Sequence, residues 1–99
     1  MAKTLKICGT TCTVEYGDPG AWASNGMGRT SEVEAKIYLR SGMPKDVARA
    51  TLLHEIIHMI ACMNDLGDIA TNETVVSVLA HGLNGIISEY DLRDGFQEE

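Results

Sequence analysis

Apolar and polar residues alternate near the start of the chain, where Leu5 and Ile7 are interleaved with Thr4, Lys6 and Cys8. After Gly9-Thr10-Thr11 the extended pattern resumes in Thr13-Val14-Glu15-Tyr16. Two such runs around a glycine-containing break predict a hairpin over residues 4–16. Residues 17–28 contain Asp18-Pro19-Gly20 and Asn25-Gly26, both turn formers, and predict a loop anchored by Trp22. Alternation returns over residues 34–40. Ala35, Ile37 and Leu39 share one face of that strand, and Lys36, Tyr38 and Arg40 share a solvent-facing one. Ser41-Gly42 breaks the strand, and Pro44 suits the first turn of a helix.

The period then changes. Leu52, Leu53, Ile56, Ile57 and Ile60 make the next segment apolar almost all round, which predicts a buried helix from about Lys45 to Asn64. Asp46 near its start complements the helix dipole. Asp65-Leu66-Gly67 reads as the stop, with Gly67 near the C-terminal cap. Residues 68–72 form a short loop, and Thr71 or Asn72 caps a second helix running to about Tyr90. Gly82 and Gly85 within it allow close helix packing, at some cost in helix propensity. The fold expected is α+β. A small antiparallel sheet, the hairpin plus one further strand, packs on the first helix, and the second helix follows.

The first helix carries His54-Glu55-Ile56-Ile57-His58. Residues four apart stack on one helical face, about 6 Å apart. Two imidazoles at that spacing can both reach one zinc ion. Glu55 lies about a quarter-turn away, where a general base for a zinc-bound water belongs. A buried helix bearing two histidines and a carboxylate must satisfy those groups. A metal does so directly; hydrogen bonds to backbone or nearby side chains are the alternative.

A catalytic zinc site usually has three protein ligands and an open position. Asn64 occupies the place of a third histidine in the metzincin pattern, so that pattern fails. Cys62 is one turn beyond His58 on the same stripe, and three ligands in a row on one rigid helix surround an ion poorly. Asp65 and Asp68 read as turn residues. Glu73 lies 15 residues beyond His58, enough for the chain to turn and a second helix to return past the site. It shares a face with Val76, Ser77, Ala80, Leu83 and Ile87, a mostly apolar face suited to packing on the first helix. Glu73 is therefore the favoured third ligand, against a simpler role as an acid at its helix N-terminus. His81, two turns on, is a candidate contact to substrate or to Glu73.

The 99 residues suffice for a single domain. The net charge of −6 leaves no basic stripe to neutralise phosphates, which argues against nucleic acid as the main partner. No segment reaches the length of a membrane span. Cys8, Cys12 and Cys62, an odd count with no apolar leader at the N-terminus, point to reduced thiols and a cytoplasmic setting. Met27, Met43, Met59 and Met63 are expected to fill core gaps. The last residues, from about 94 to 99, read as a frayed tail.

With Glu73 as ligand, the chain resembles the gluzincin class of zinc metallopeptidases. More narrowly, it is similar to small phage- and prophage-encoded metallopeptidases of the minigluzincin type. The matching parts are Gly28-Arg29-Thr30, the strand around Lys36-Ile37-Tyr38-Leu39, the run from Thr51 to His58, and Glu73 leading into Val76, Leu79 and Leu83. The resemblance implies a minimal catalytic unit in a bacterium or a phage-infected cell, with one zinc ion on His54, His58 and Glu73 and Glu55 as catalytic base. Many larger gluzincins carry an aspartate four residues after the ligand glutamate. Here Ser77 stands there, able to hydrogen-bond but without the charge.

The chemistry expected is hydrolysis of a protein or peptide substrate, with zinc-bound water activated by Glu55. Tyr38, His81 and Tyr90 are candidate donors to the oxyanion. Strand 35–40 is the expected sheet edge above the cleft, and the protein is expected as a monomer or a homodimer. Two other classes compete: a zinc-stabilised, non-proteolytic phage structural or adaptor protein, and a metal-free binding module.

Overall fold

The computed structural model describes residues 2–18 and 26–89. Within them lie strands β1 (Ala2–Ile7), β2 (Thr10–Gly17), β3 (Gly28–Ser31) and β4 (Lys36–Arg40). Helices α1 (Lys45–Met63), α2 (Gly67–Ala70) and α3 (Glu73–Glu89) follow. The class is α+β, as the hydrophobic pattern predicts. Trp22, Tyr90 and the residues from 90 to 99 lie outside the described residues.

The hairpin of β1 and β2 closes through Cys8 and Gly9, at φ 51° and 82°. Two successive positive φ values match the right-handed twist of the flanking strands. Ile7 pairs with Thr10 and Leu5 with Cys12, so the turn begins one residue before the Gly9-Thr10-Thr11 break, and Thr10 and Thr11 belong to β2. Cys8 is exposed in the turn and Cys12 buried beneath the sheet. The two thiols do not face one another.

The sheet has four strands in the order β1-β2-β4-β3, one more than the alternation suggests. It is also mixed rather than antiparallel, because β4 runs parallel to β2 and antiparallel to β3. The extra strand escapes the pattern for a physical reason. Its positions facing α1 are Gly28 and Thr30, so no apolar residue marks the inner face. Lys36–Arg40 is consequently an inner strand, flanked on both sides, and β3 is the edge. Ala35 belongs to the β3–β4 turn at φ 52°, where its N–H donates to the Glu32 carbonyl at 3.1 Å.

Ile7, Cys12, Val14, Ile37 and Leu39 cover one face of the sheet and pack around Met59. Leu52, Ile56 and Met63 of α1 lean on the same cluster, as does Met43. On another side α1 meets α3, whose Val76 and Ala80 are buried. An apolar circumference therefore suits α1, which has neighbours on two sides. Met27, by contrast, is exposed and fills no core gap. Leu83 and Ile87, on the packing face expected for α3, are also exposed.

Helix α1 ends at Met63, within a residue of the expected end, in a Schellman motif whose left-handed residue is Asp65 rather than Gly67. Leu66 N–H donates to the Ala61 carbonyl at 2.8 Å and Asp65 N–H to that of Cys62 at 3.3 Å, with Asp65 at φ 56°. Part of the expected 68–72 loop is the short α2. Asn72 then caps α3, its Oδ1 accepting from Val75 N–H at 3.1 Å. That cap fixes where Glu73, the first residue of α3, begins its return past α1.

Candidate metal centre

Helical spacing puts the two imidazoles of α1 side by side, with ring centroids 4.8 Å apart. Their Nε2 atoms converge to 3.1 Å. The Glu73 carboxylate closes the group, with Oε1 2.7 Å from His58 Nε2 and Oε2 3.1 Å from His54 Nε2. Among the described residues these three side chains form a group that could hold a metal ion. The set expected from sequence spacing is therefore the set the fold brings together.

The donor chemistry fits a metal. Ligands about 2.0–2.1 Å from a tetrahedral zinc lie roughly 3.3 Å from one another. The observed separations are a few tenths of an ångström shorter, so small side-chain movements admit the ion. Two imidazole nitrogens and a carboxylate oxygen are donors suited to zinc and its first-row neighbours. The histidine side chains are largely covered, at 21% and 14% exposure, whereas that of Glu73 is 68% exposed. The group is thus walled by α1 and opens to solvent past α3.

Behind the nitrogens that converge, Ser77 Oγ lies 3.4 Å from His54 Nδ1. This long, neutral contact orients the ring without adding charge beside it.

Glu55 is not a member of the converging trio. Among the described residues it is the buried charged one, 7% exposed. Its carboxylate accepts a hydrogen bond from Thr30 Oγ1 at 2.7 Å. Both Glu55 and His54 line a cleft of about 700 Å³, together with Gly28, Glu73, Ser77 and His81. The side chain that the motif assigns to base chemistry thus lines the same opening as His54 and Glu73, two of the three converging groups.

Tyr38 does not. Alternation along β4 turns Ile37 and Leu39 toward α1 and Tyr38 to the opposite face. There its hydroxyl donates to the Glu34 carboxylate at 3.2 Å, and Arg29 stacks 5.5 Å from its ring centre. Partial burial and the nearby Glu34 carboxylate raise the phenol pKa above its ordinary value. It therefore cannot serve as oxyanion donor in the cleft. His81 does line the cleft; Tyr90 lies outside the described residues.

Sequence reasoning missed the structural part of β3. Thr30 gained notice only within Gly28-Arg29-Thr30 as a point of resemblance, and its contact to Glu55 joins residues 25 apart. Nothing in local periodicity encodes such a contact.

No helix among the described residues is long and apolar enough to cross a membrane. Comparison of the chain with protein-family models, with curated proteins and with solved structures finds no match.

Proposed function

We propose that the protein is a minimal zinc-dependent peptidase. The observation that carries this reading is the meeting of His54, His58 and Glu73 at a cleft that also contains the buried carboxylate of Glu55. A structural zinc site is usually closed by four protein ligands, whereas a hydrolytic one keeps three and an open position. Three ligands beside an open cleft favour the hydrolytic reading.

His54, His58 and Glu73 would hold the ion, which would supply Lewis acidity and lower the pKa of water at the site. Glu55 takes the proton of the attacking water and passes it to the leaving amine. β3 is an edge strand of the sheet among the described strands, and an extended peptide laid along a sheet edge is the substrate form that suits it. His81 lines the same cleft and is the donor we assign to the oxyanion. Ser77 sets the ring of His54.

The test is metal analysis together with cleavage of an unfolded protein such as casein. The parent chain should carry about one equivalent of zinc and cleave. Glu55→Gln should keep the zinc and lose activity by roughly 10²–10⁴-fold. Zinc retained with no cleavage by the parent would favour a metal-stabilised adaptor, a reading that fits the uncharged Ser77 beside His54. A chain that binds no zinc would return the motif to chance.

A further inference from the structure

The peptidase reading leaves unexplained how the side chain of Glu55, a residue only 7% exposed, is correctly aimed. Helix α1 does not do this by itself, because a glutamate side chain has three rotatable bonds and several staggered states. The restraint comes from β3. Thr30 Oγ1 lies 2.7 Å from Glu55 Oε1 and 3.0 Å from the Glu55 carbonyl oxygen. A hydroxyl has one proton to give. The shorter distance is the usual one for an O–H···O hydrogen bond, and the longer lies at the limit of that range. The carbonyl, in mid-helix, also has its amide partner one turn on. The proton therefore goes to the carboxylate.

Gly28 is two residues earlier on the same face of β3 and bears on the other oxygen. A Cβ at position 28 would lie 3.2 Å from Glu55 Oε2 and 3.1 Å from its Cγ. With hydrogen there instead, that contact is not made, and Glu55 lines the cleft. One strand thus engages one oxygen and sets no side chain of its own against the other.

We propose that Thr30 is the positioning residue for Glu55: its hydroxyl fixes the carboxylate through Oε1 so that Oε2 faces the reacting water. This rests on the peptidase reading for its catalytic consequence, though not for the hydrogen bond itself. Thr30 touches neither substrate nor metal; it acts through Glu55.

The experiment compares the zinc-loaded full chain with Thr30→Val and Thr30→Ser. Valine keeps the β-branched shape and strand preference and removes only the hydroxyl; serine restores the hydroxyl. Rates are read on fluorescently labelled casein, zinc affinity by competition with a chromophoric chelator, and folding by thermal melting. The Glu55 carboxyl carbon is followed by ¹³C NMR, assigned through its loss in Glu55→Gln. We expect Thr30→Val to lower kcat roughly 10–100-fold, a fraction of a general base's whole contribution. KM and zinc affinity should stay within about twofold, since neither ground-state binding nor the ligands are touched. The Glu55 carboxyl signal should move in Thr30→Val, and Thr30→Ser should return both rate and signal.

A Thr30→Val chain that cleaves at the parent rate overturns the proposal and leaves the peptidase reading intact. A KM increase at constant kcat also overturns it, since that would make Thr30 a substrate contact. If the parent cleaves nothing, the peptidase reading falls instead, and the carboxyl signal decides the clamp: unmoved in Thr30→Val, it refutes it. Should Thr30→Val fail to fold, Thr30→Ser carries the test, and a rate and signal far from the parent's would refute the role.

Discussion

Gly28 is where a single atom changes most. A methyl group there would approach Thr51 Cγ2 to 2.9 Å and Glu55 Cγ to 3.1 Å. Neither neighbour yields easily. Thr51 is held by its own hydroxyl bond to the Val47 carbonyl at 2.8 Å, and Glu55 by Thr30. The strand must then lift from the helix, a form of overpacking that costs about 1–3 kcal/mol. Gly28→Ala should lower the melting temperature by at least roughly 4 °C, given about 4–8 °C per kcal/mol in a chain this size. Unchanged melting and cleavage would mean that β3 does not sit this close to α1. At this scale the meeting of His54 with His58 was legible because helical geometry fixes the meaning of a four-residue spacing. Gly28 and Thr30 were not, because their roles arise from the approach of two elements distant in sequence.

Among the elements, α1 and α3 were the most legible, since caps and apolar runs are local signals. Thr71 or Asn72 is the cap the pattern offers, and Asn72 serves as one. The end of α1 falls where the pattern puts it, but the left-handed position is held by Asp65, not by the nearby Gly67. Aspartate tolerates that conformation by bonding locally. The sheet was read less well. Parallel pairing of β2 with β4 follows from β3 folding back outside β4, and alternation along one strand carries no information about its neighbours. The first hairpin shows the same limit in small. Its turn is Cys8-Gly9, although cysteine is a poor signal for a positive φ. Asn-Gly is the favoured pair for such a turn. Cys8→Asn should therefore stabilise the chain by roughly 0.5 kcal/mol, with a rise of a few degrees in melting temperature. The substitution loses only an exposed 3.5 Å contact from Asn64 Nδ2 to the sulfur. A fall in melting temperature would show that the hairpin does not use this turn.

For the molecule as a whole, the core is small: Ile37, Leu39, Met59, Val76 and Cys12 are its largest fully buried side chains. Two helices meet across the ligand group, since His54 and His58 belong to α1 and Glu73 to α3. A cation shared by those three side chains would tie the helices together, and it would do so only in the folded state. Binding to the native state alone adds RT ln(1 + [L]/Kd), about 4 kcal/mol at a thousandfold excess over Kd. In a chain of this length that corresponds to a melting shift well above roughly 10 °C. Zinc-loaded protein should therefore melt far higher than the same protein in excess chelator, and the difference should grow with free zinc. His54→Ala and Glu73→Ala should each abolish most of that difference. His81→Ala should leave it, because His81 lines the cleft without belonging to the converging group. A zinc-dependent shift surviving in Glu73→Ala would place the third ligand elsewhere. Equal melting with zinc and with chelator in the parent would remove the metal from this fold altogether, leaving the Glu73–His54 and Glu73–His58 contacts as the tie between the helices.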